Sequence, residues 1–132
     1  MNNPSASAIH PEQEAPQAQV VAVLRGELLA KVGNDPDIAA ELSQSLDLNH
    51  REDVDALLLA IEQGRWAEVK RNAHRILNTA QLLGCDALVE LCLRVEGMLA
   101  RDGGQAREEL LADYVSVVQN LSAILERVRR TF

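Results

Sequence analysis

The chain is expected to be all-α: an antiparallel up-down-up-down four-helix bundle with an additional short N-terminal helix. Three observations carry this expectation. The 132 residues are 47% hydrophobic but only 2% aromatic, with Leu, Val and Ala supplying most of the apolar side chains, a composition that suits helices better than sheets. Apolar residues recur at intervals of three and four along most of the chain. Pro and Gly are scarce after Pro36 except at apparent breaks between those periodic segments.

The elements follow in order. Residues 1–17 hold three of the four prolines among Ser, Ala, Gln and Glu, and read as a disordered tail or interdomain linker that includes His10. Residues 18–132 are expected to form the single helical domain. A first short helix is expected over 18–32, with Val20, Val21, Leu24, Leu28 and Leu29 on its apolar side; Gly33-Asn34 ends it. Asp35 is a strong N-cap and Pro36 fits the first helical position of the next helix. That helix runs to about Gln63, marked by Ile38, Leu42, Leu46, Val54, Leu57, Leu58 and Ile61. Its middle, Asn49-His50-Arg51-Glu52-Asp53, is polar all round and is expected to be a weaker, exposed turn with a solvated His50.

Gly64-Arg65 makes the next break, and the third helix spans Trp66–Leu83 with Gly84 as its C-cap. The fourth covers about Asp86–Arg101, with Leu88, Leu91, Cys92, Val95 and Leu99 facing inward. Asp102-Gly103-Gly104 reads as a turn. The last helix covers about Gln105–Arg129, where Leu110, Tyr114, Val117, Leu121, Ile124 and Val128 alternate spacings of four and three, the seam of a long helix packed in a bundle. Four long amphipathic helices on short connections pack antiparallel, and the leading short helix is expected to cap one end.

Charge and composition exclude several functions. A net charge of −7 opposes binding to a phosphate backbone, so no nucleic-acid partner is expected. No apolar run approaches the ~20 residues that span a bilayer, and the start has no charged-apolar-small signal segment; no membrane association and a cytoplasmic location are expected. Cys85 and Cys92 would lie ~10 Å apart along one helix, beyond disulfide reach, and read as small buried hydrophobes. Neither His50 nor His74 has a Glu three residues before it, so the metal sites of helical bundles are not expected, and no metal ligands are assigned. No hydrolase nucleophile motif is present.

His74 is the residue that stands out. The apolar positions around it, Val69, Ile76, Ala80 and Leu83, project roughly opposite to it at about 100° per residue. Lys70, Arg71, Asn78 and Gln81 fall on its own side. It is therefore a water-facing histidine on a core-forming helix, with basic and amide neighbours. An exposed imidazole in its uncharged form is a nucleophile.

The words Ala73-His74, Gly84, Leu91-Cys92 and Val95-Glu96 resemble the histidine-containing phosphotransfer (HPt) family, as do Val32-Gly33-Asn34-Asp35-Pro36 and Ala60-Ile61-Glu62-Gln63-Gly64-Arg65-Trp66. The resemblance covers roughly residues 20–129. It implies a phosphocarrier rather than an enzyme: His74 accepts a phosphoryl group from a receiver-domain aspartate of a hybrid histidine kinase and passes it to a response regulator. It implies no cofactor on this chain, with Mg²⁺ on the partner receiver. It places at Glu96 the residue that hydrogen-bonds imidazole Nδ1 and leaves Nε2 to attack. The Pro-rich start suits a linker, so both a free-standing carrier and a C-terminal domain of such a kinase fit.

Two signature positions depart from the family. Leu77 stands where a lysine usually neutralises phosphoryl charge, and Asn78 where a glycine usually clears space for the partner. Lys70, one turn before His74, is the best-placed substitute cation, with Arg71 and Arg75 as further binding residues. Asn78 is positioned to bond the phosphoryl group or to restrict partners. Gln81 and Leu82 complete the expected docking face; Leu77 either joins Leu82 in an apolar docking patch or widens the core stripe. Two other readings stay open: a degenerate HPt-like module that binds receivers without transfer, and a helical dimerisation adaptor with an incidental His74. The carrier readings go with a monomer.

Overall fold

The computed structural model describes residues 9–101 and 108–132, with side chains from Gln17 onward. Five helices follow in order: α1 Ile9–Lys31, α2 Pro36–Glu62, α3 Trp66–Leu83, α4 Asp86–Arg101 and α5 Glu108–Arg130. No strand occurs among the described residues. Each of α2, α3 and α4 packs on the helix before and after it, and α2 closes the ring against α5. The four-helix bundle is as expected; the turn expected at 102–104 lies outside the described residues.

Local chemistry sets the boundaries. The Asp35 carboxylate accepts from the amides of Asp37 and Ile38 at 3.0 and 3.3 Å, two of the donors that a helix start leaves unpaired. Gly84 ends α3 at φ 71°, a left-handed conformation that favours glycine. There the Cys85 amide reaches back to the Ala80 carbonyl at 2.9 Å and the Gly84 amide to Gln81 at 3.2 Å, the paired bonds of a Schellman cap.

Four expectations need correction. The first helix is not short: it starts at Ile9 and runs for 23 residues, taking in residues 9–17 of the expected tail. Pro11 falls in its first turn, where no intrahelical bond is lost, and the Glu and Gln residues that follow are good helix formers. Gln17 is docked, donating to Asn120 Oδ1 at 3.0 Å and accepting from Arg127 Nη1 at 2.8 Å, while Arg25 lies over the Phe132 ring at 4.6 Å. So α1 lies along the C-terminal half of α5. Second, α2 is continuous through 49–53. That stretch holds no Gly or Pro, and Arg51 bonds Asp47 one turn back at 3.0 Å. Third, His50 is buried, not solvated: it is 0% exposed. Fourth, Ile38, expected on the apolar side of α2, is instead 50% exposed, while its neighbour Ala39 is buried.

His50 ties α2 to α5. Its Nε2–H donates to the Val118 carbonyl at 2.9 Å, which leaves Nδ1 bare and without a hydrogen-bond partner among the described residues. Asp47, on the same helix, takes Arg129 of α5 at 2.9 Å. Desolvation pushes the His50 pKa down, only partly opposed by the Val118 bond and by Asp53 and Asp47. The unfolded chain then binds a proton that the folded chain refuses, so stability contributed by neutral His50 is lost as pH falls through about 6.5. The urea midpoint is expected to drop between pH 7.5 and pH 5.5, and to drop less in His50→Gln, which keeps an N–H donor but does not titrate. An equal drop in both proteins would place the acid sensitivity elsewhere.

Candidate functional site

Helix α3 is pinned by one face. Val69, Ala73, Ile76 and Ala80 are 0% exposed and Leu83 1%, so their burial between α2 and α4 fixes the rotation of the helix and turns position 74 outward. The His74 side chain is 61% exposed. Across the groove to α4, Glu96 is only 21% exposed, and its Oε2 stands 3.5 Å from His74 Nδ1. That separation is within ion-pair range but longer than a formed hydrogen bond. Oε2 has no other hydrogen-bond partner among the described residues. It is thus a buried acceptor on the Nδ1 side of a ring whose side chain is 61% exposed.

The basic residues around His74 are not equivalent. Arg71 sits 3.8 Å from Glu68, and Arg75 sits 3.8 Å from Asp53 of α2. Lys70 is exposed, and no ion pair among the described residues engages it. Asp53 was not singled out by spacing, because its partner lies on another helix. Its side chain is 14% exposed, and desolvation raises its carboxyl pKa despite the pull of Arg75 and His50.

Asn78 and Gln81 are exposed, and Leu82 is 39% exposed. Leu77 is 4% exposed and belongs to the core, so of its two expected places it takes the core stripe and leaves the docking patch. The apolar residue that sequence reasoning missed is Leu93. It is 53% exposed and lies three residues before Glu96, hence on the same side of α4. Its signal was there to read: a leucine set apart from the Leu88, Cys92, Val95, Leu99 stripe.

Beneath the site, Cys92 Sγ donates to the Tyr114 hydroxyl at 3.9 Å. Burial pushes the Cys92 thiol up to about 11 and raises the Tyr114 hydroxyl as well, so neither ionises near neutral pH. The two cysteines are free. No cluster of three or more His, Cys, Asp or Glu among the described residues could hold a metal ion, and no described helix is long and apolar enough to cross a membrane. The site therefore offers one accessible nucleophile, one buried carboxylate behind it, and cations beside it.

Comparison with known proteins gives the family. A family model described as the Hpt domain matches residues 35–131. Two curated relatives, the virulence sensor proteins BvgS of Bordetella bronchiseptica and of Bordetella parapertussis, are each 26% identical over an alignment of 140 residues. Each alignment covers 100% of this chain and 11% of the relative, so the chain spans about a tenth of their length. No solved structure gives a significant match.

Proposed function

Because the chain belongs to the Hpt domain family, we propose that it is a phosphocarrier of a multistep His-Asp relay, with His74 as the phosphoacceptor. The observation that carries this reading is the pairing of an exposed imidazole with the buried Glu96 oxygen 3.5 Å behind Nδ1. In the forward step, Nε2 attacks the phosphorus of a receiver phosphoaspartate. The N–P bond forms as the P–O bond to the aspartate breaks, and the electron pair leaves on that carboxylate. The ring becomes a phosphoimidazolium with its proton on Nδ1, and Glu96 accepts that proton's hydrogen bond and balances the charge. The reverse step returns the group to an aspartate of a second receiver.

Transfer of this kind depends mostly on positioning and charge stabilisation. The receiver brings the Mg²⁺. Among the described residues beside His74, Lys70 is the cation without an ion pair and meets the phosphoryl group, in place of the lysine that Leu77 replaces, while Asn78 meets the same group or narrows the choice of receiver. Arg71, Arg75, Gln81, Leu82 and Leu93 form the docking rim and its apolar part. The chain acts as a monomer in the cytoplasm, either free-standing or as part of a hybrid sensor kinase.

The test is transfer from a panel of pre-phosphorylated receiver domains of the source genome. Rapid labelling of this chain supports the carrier. Binding of a receiver with no labelling from any of them overturns it in favour of a receiver-binding module without chemistry, the reading that Leu77 and Asn78 favour. For the docking face, Leu93→Asp is expected to raise the Kd of the cognate receiver about tenfold or more by calorimetry. An unchanged Kd removes Leu93 from that face.

A further inference from the structure

A wide apolar cleft lies away from His74. Its volume is about 530 Å³, and it runs between α1 on one side and the α3–α4 turn with the start of α4 on the other, over a floor from α5. Helices α1 and α4 share no substantial packing, so the cleft is the space left where two helices flank a third without meeting. Leu121, Ile124 and Leu88 form a floor that is 4–6% exposed. Above it stand Val20, Val23 and Val117, which are 38%, 63% and 39% exposed. Val20 and Val117 belong to the apolar stripes of their helices and would be expected to meet a neighbouring helix; among the described residues none covers them.

A second depression of about 430 Å³ shares Ala87, Leu88 and Val117 with the first and continues along α4 and α5. The charges lining the joined groove are Glu27, Asp86, Glu90 and Asp113 against the single Arg94. The α1 wall lies outside the segment that matches the family model. By helix rise, the Gly84 end of the cleft is about 15 Å along α3 from His74.

We infer that this groove is a docking site for a basic amphipathic helix of a partner protein. Aliphatic side chains at i, i+3 or i+4 and i+7 enter between α1 and α4, and Lys or Arg on the flanks of that helix meets Glu27, Asp86, Glu90 and Asp113. The net charge of −7 disfavours a second copy of this chain as the occupant. Because the groove and His74 are at separate places, a partner held here leaves the imidazole open to a receiver, and a receiver carried on the same partner gains effective concentration.

The test uses the full chain, labelled with ¹⁵N, and three synthetic 18-residue peptides: a Leu/Lys amphipathic helix, its Leu/Glu counterpart, and a scrambled Leu/Lys sequence with no apolar face. The Leu/Lys helix is expected to shift amides of α1, α4 and α5 around the cleft. The other two peptides are expected to bind at least tenfold more weakly. Val23→Asp, at an exposed position that tolerates the change, is expected to weaken binding tenfold or more, and Glu27→Lys several-fold, with the thermal midpoint unchanged; Leu93→Asp leaves it intact. Equal binding of the scrambled peptide, shifts centred on His74, or full affinity in Val23→Asp would each overturn the inference. So would concentration-dependent dimerisation that Val23→Asp abolishes. Transfer to His74 is read separately on the unaltered chain, where its absence bears only on the phosphocarrier reading; Val23→Asp is expected to keep whatever transfer the unaltered chain shows from an isolated receiver, and its selective loss would overturn the separation of groove and site.

Discussion

His74→Gln is expected to reduce phosphoryl labelling to background while leaving the fold intact. A glutamine amide is similar in size, but its nitrogen lone pair is delocalised into the carbonyl and cannot attack phosphorus. The side chain it replaces is 61% exposed, and substitutions at such positions shift stability within about 0.5 kcal/mol. Label on the wild type should be acid-labile and base-stable, as befits an N–P bond. The chain has three histidines, and His50 is 0% exposed with Nε2 committed to Val118, out of reach of any receiver. Retained labelling in His74→Gln would therefore sink the assignment.

Glu96→Ala is expected to slow transfer about 10- to 100-fold, the usual cost of removing the partner that orients an active imidazole. The buried Oε2 faces Nδ1, and without it the tautomer that exposes Nε2 loses its bias and the phosphoimidazolium loses its counter-charge. Glu96→Gln should lie between the two, because an amide oxygen still accepts but carries no charge. Single-turnover rates from one pre-phosphorylated receiver measure this. Rates within twofold of wild type for Glu96→Ala would show that the ring is oriented by the receiver instead.

Much of this was legible in the residues because the signals are local. The Asp35-Pro36 start, the Gly84 stop and the outward rotation of His74 depend on neighbours within one or two turns. Glu96 could be placed only through family resemblance, since nothing near it in sequence points to α3. What escaped depends on contacts across the bundle. His50 looks like one of five polar residues in a row, and only the Val118 carbonyl of α5 explains its burial. Leu77 stood on the margin between stripe and surface, where a small rotation of α3 decides. Gln17 lay in a Pro-rich stretch, and its partners Asn120 and Arg127 are more than a hundred residues away.

The ring closure between α2 and α5 also bears on how the chain reaches its folded state. Contacts between α2 and α3, and between α3 and α4, join helices linked by two or three residues, so they form at low loop-closure cost, and bundles of this kind fold in microseconds to milliseconds. The α2–α5 seam is different. His50 to Val118 and Asp47 to Arg129 span most of the chain. If the seam closes after the transition state, weakening it should leave the folding rate nearly untouched and appear as faster unfolding. The seam would then act as the latch that sets how long a folded molecule lasts.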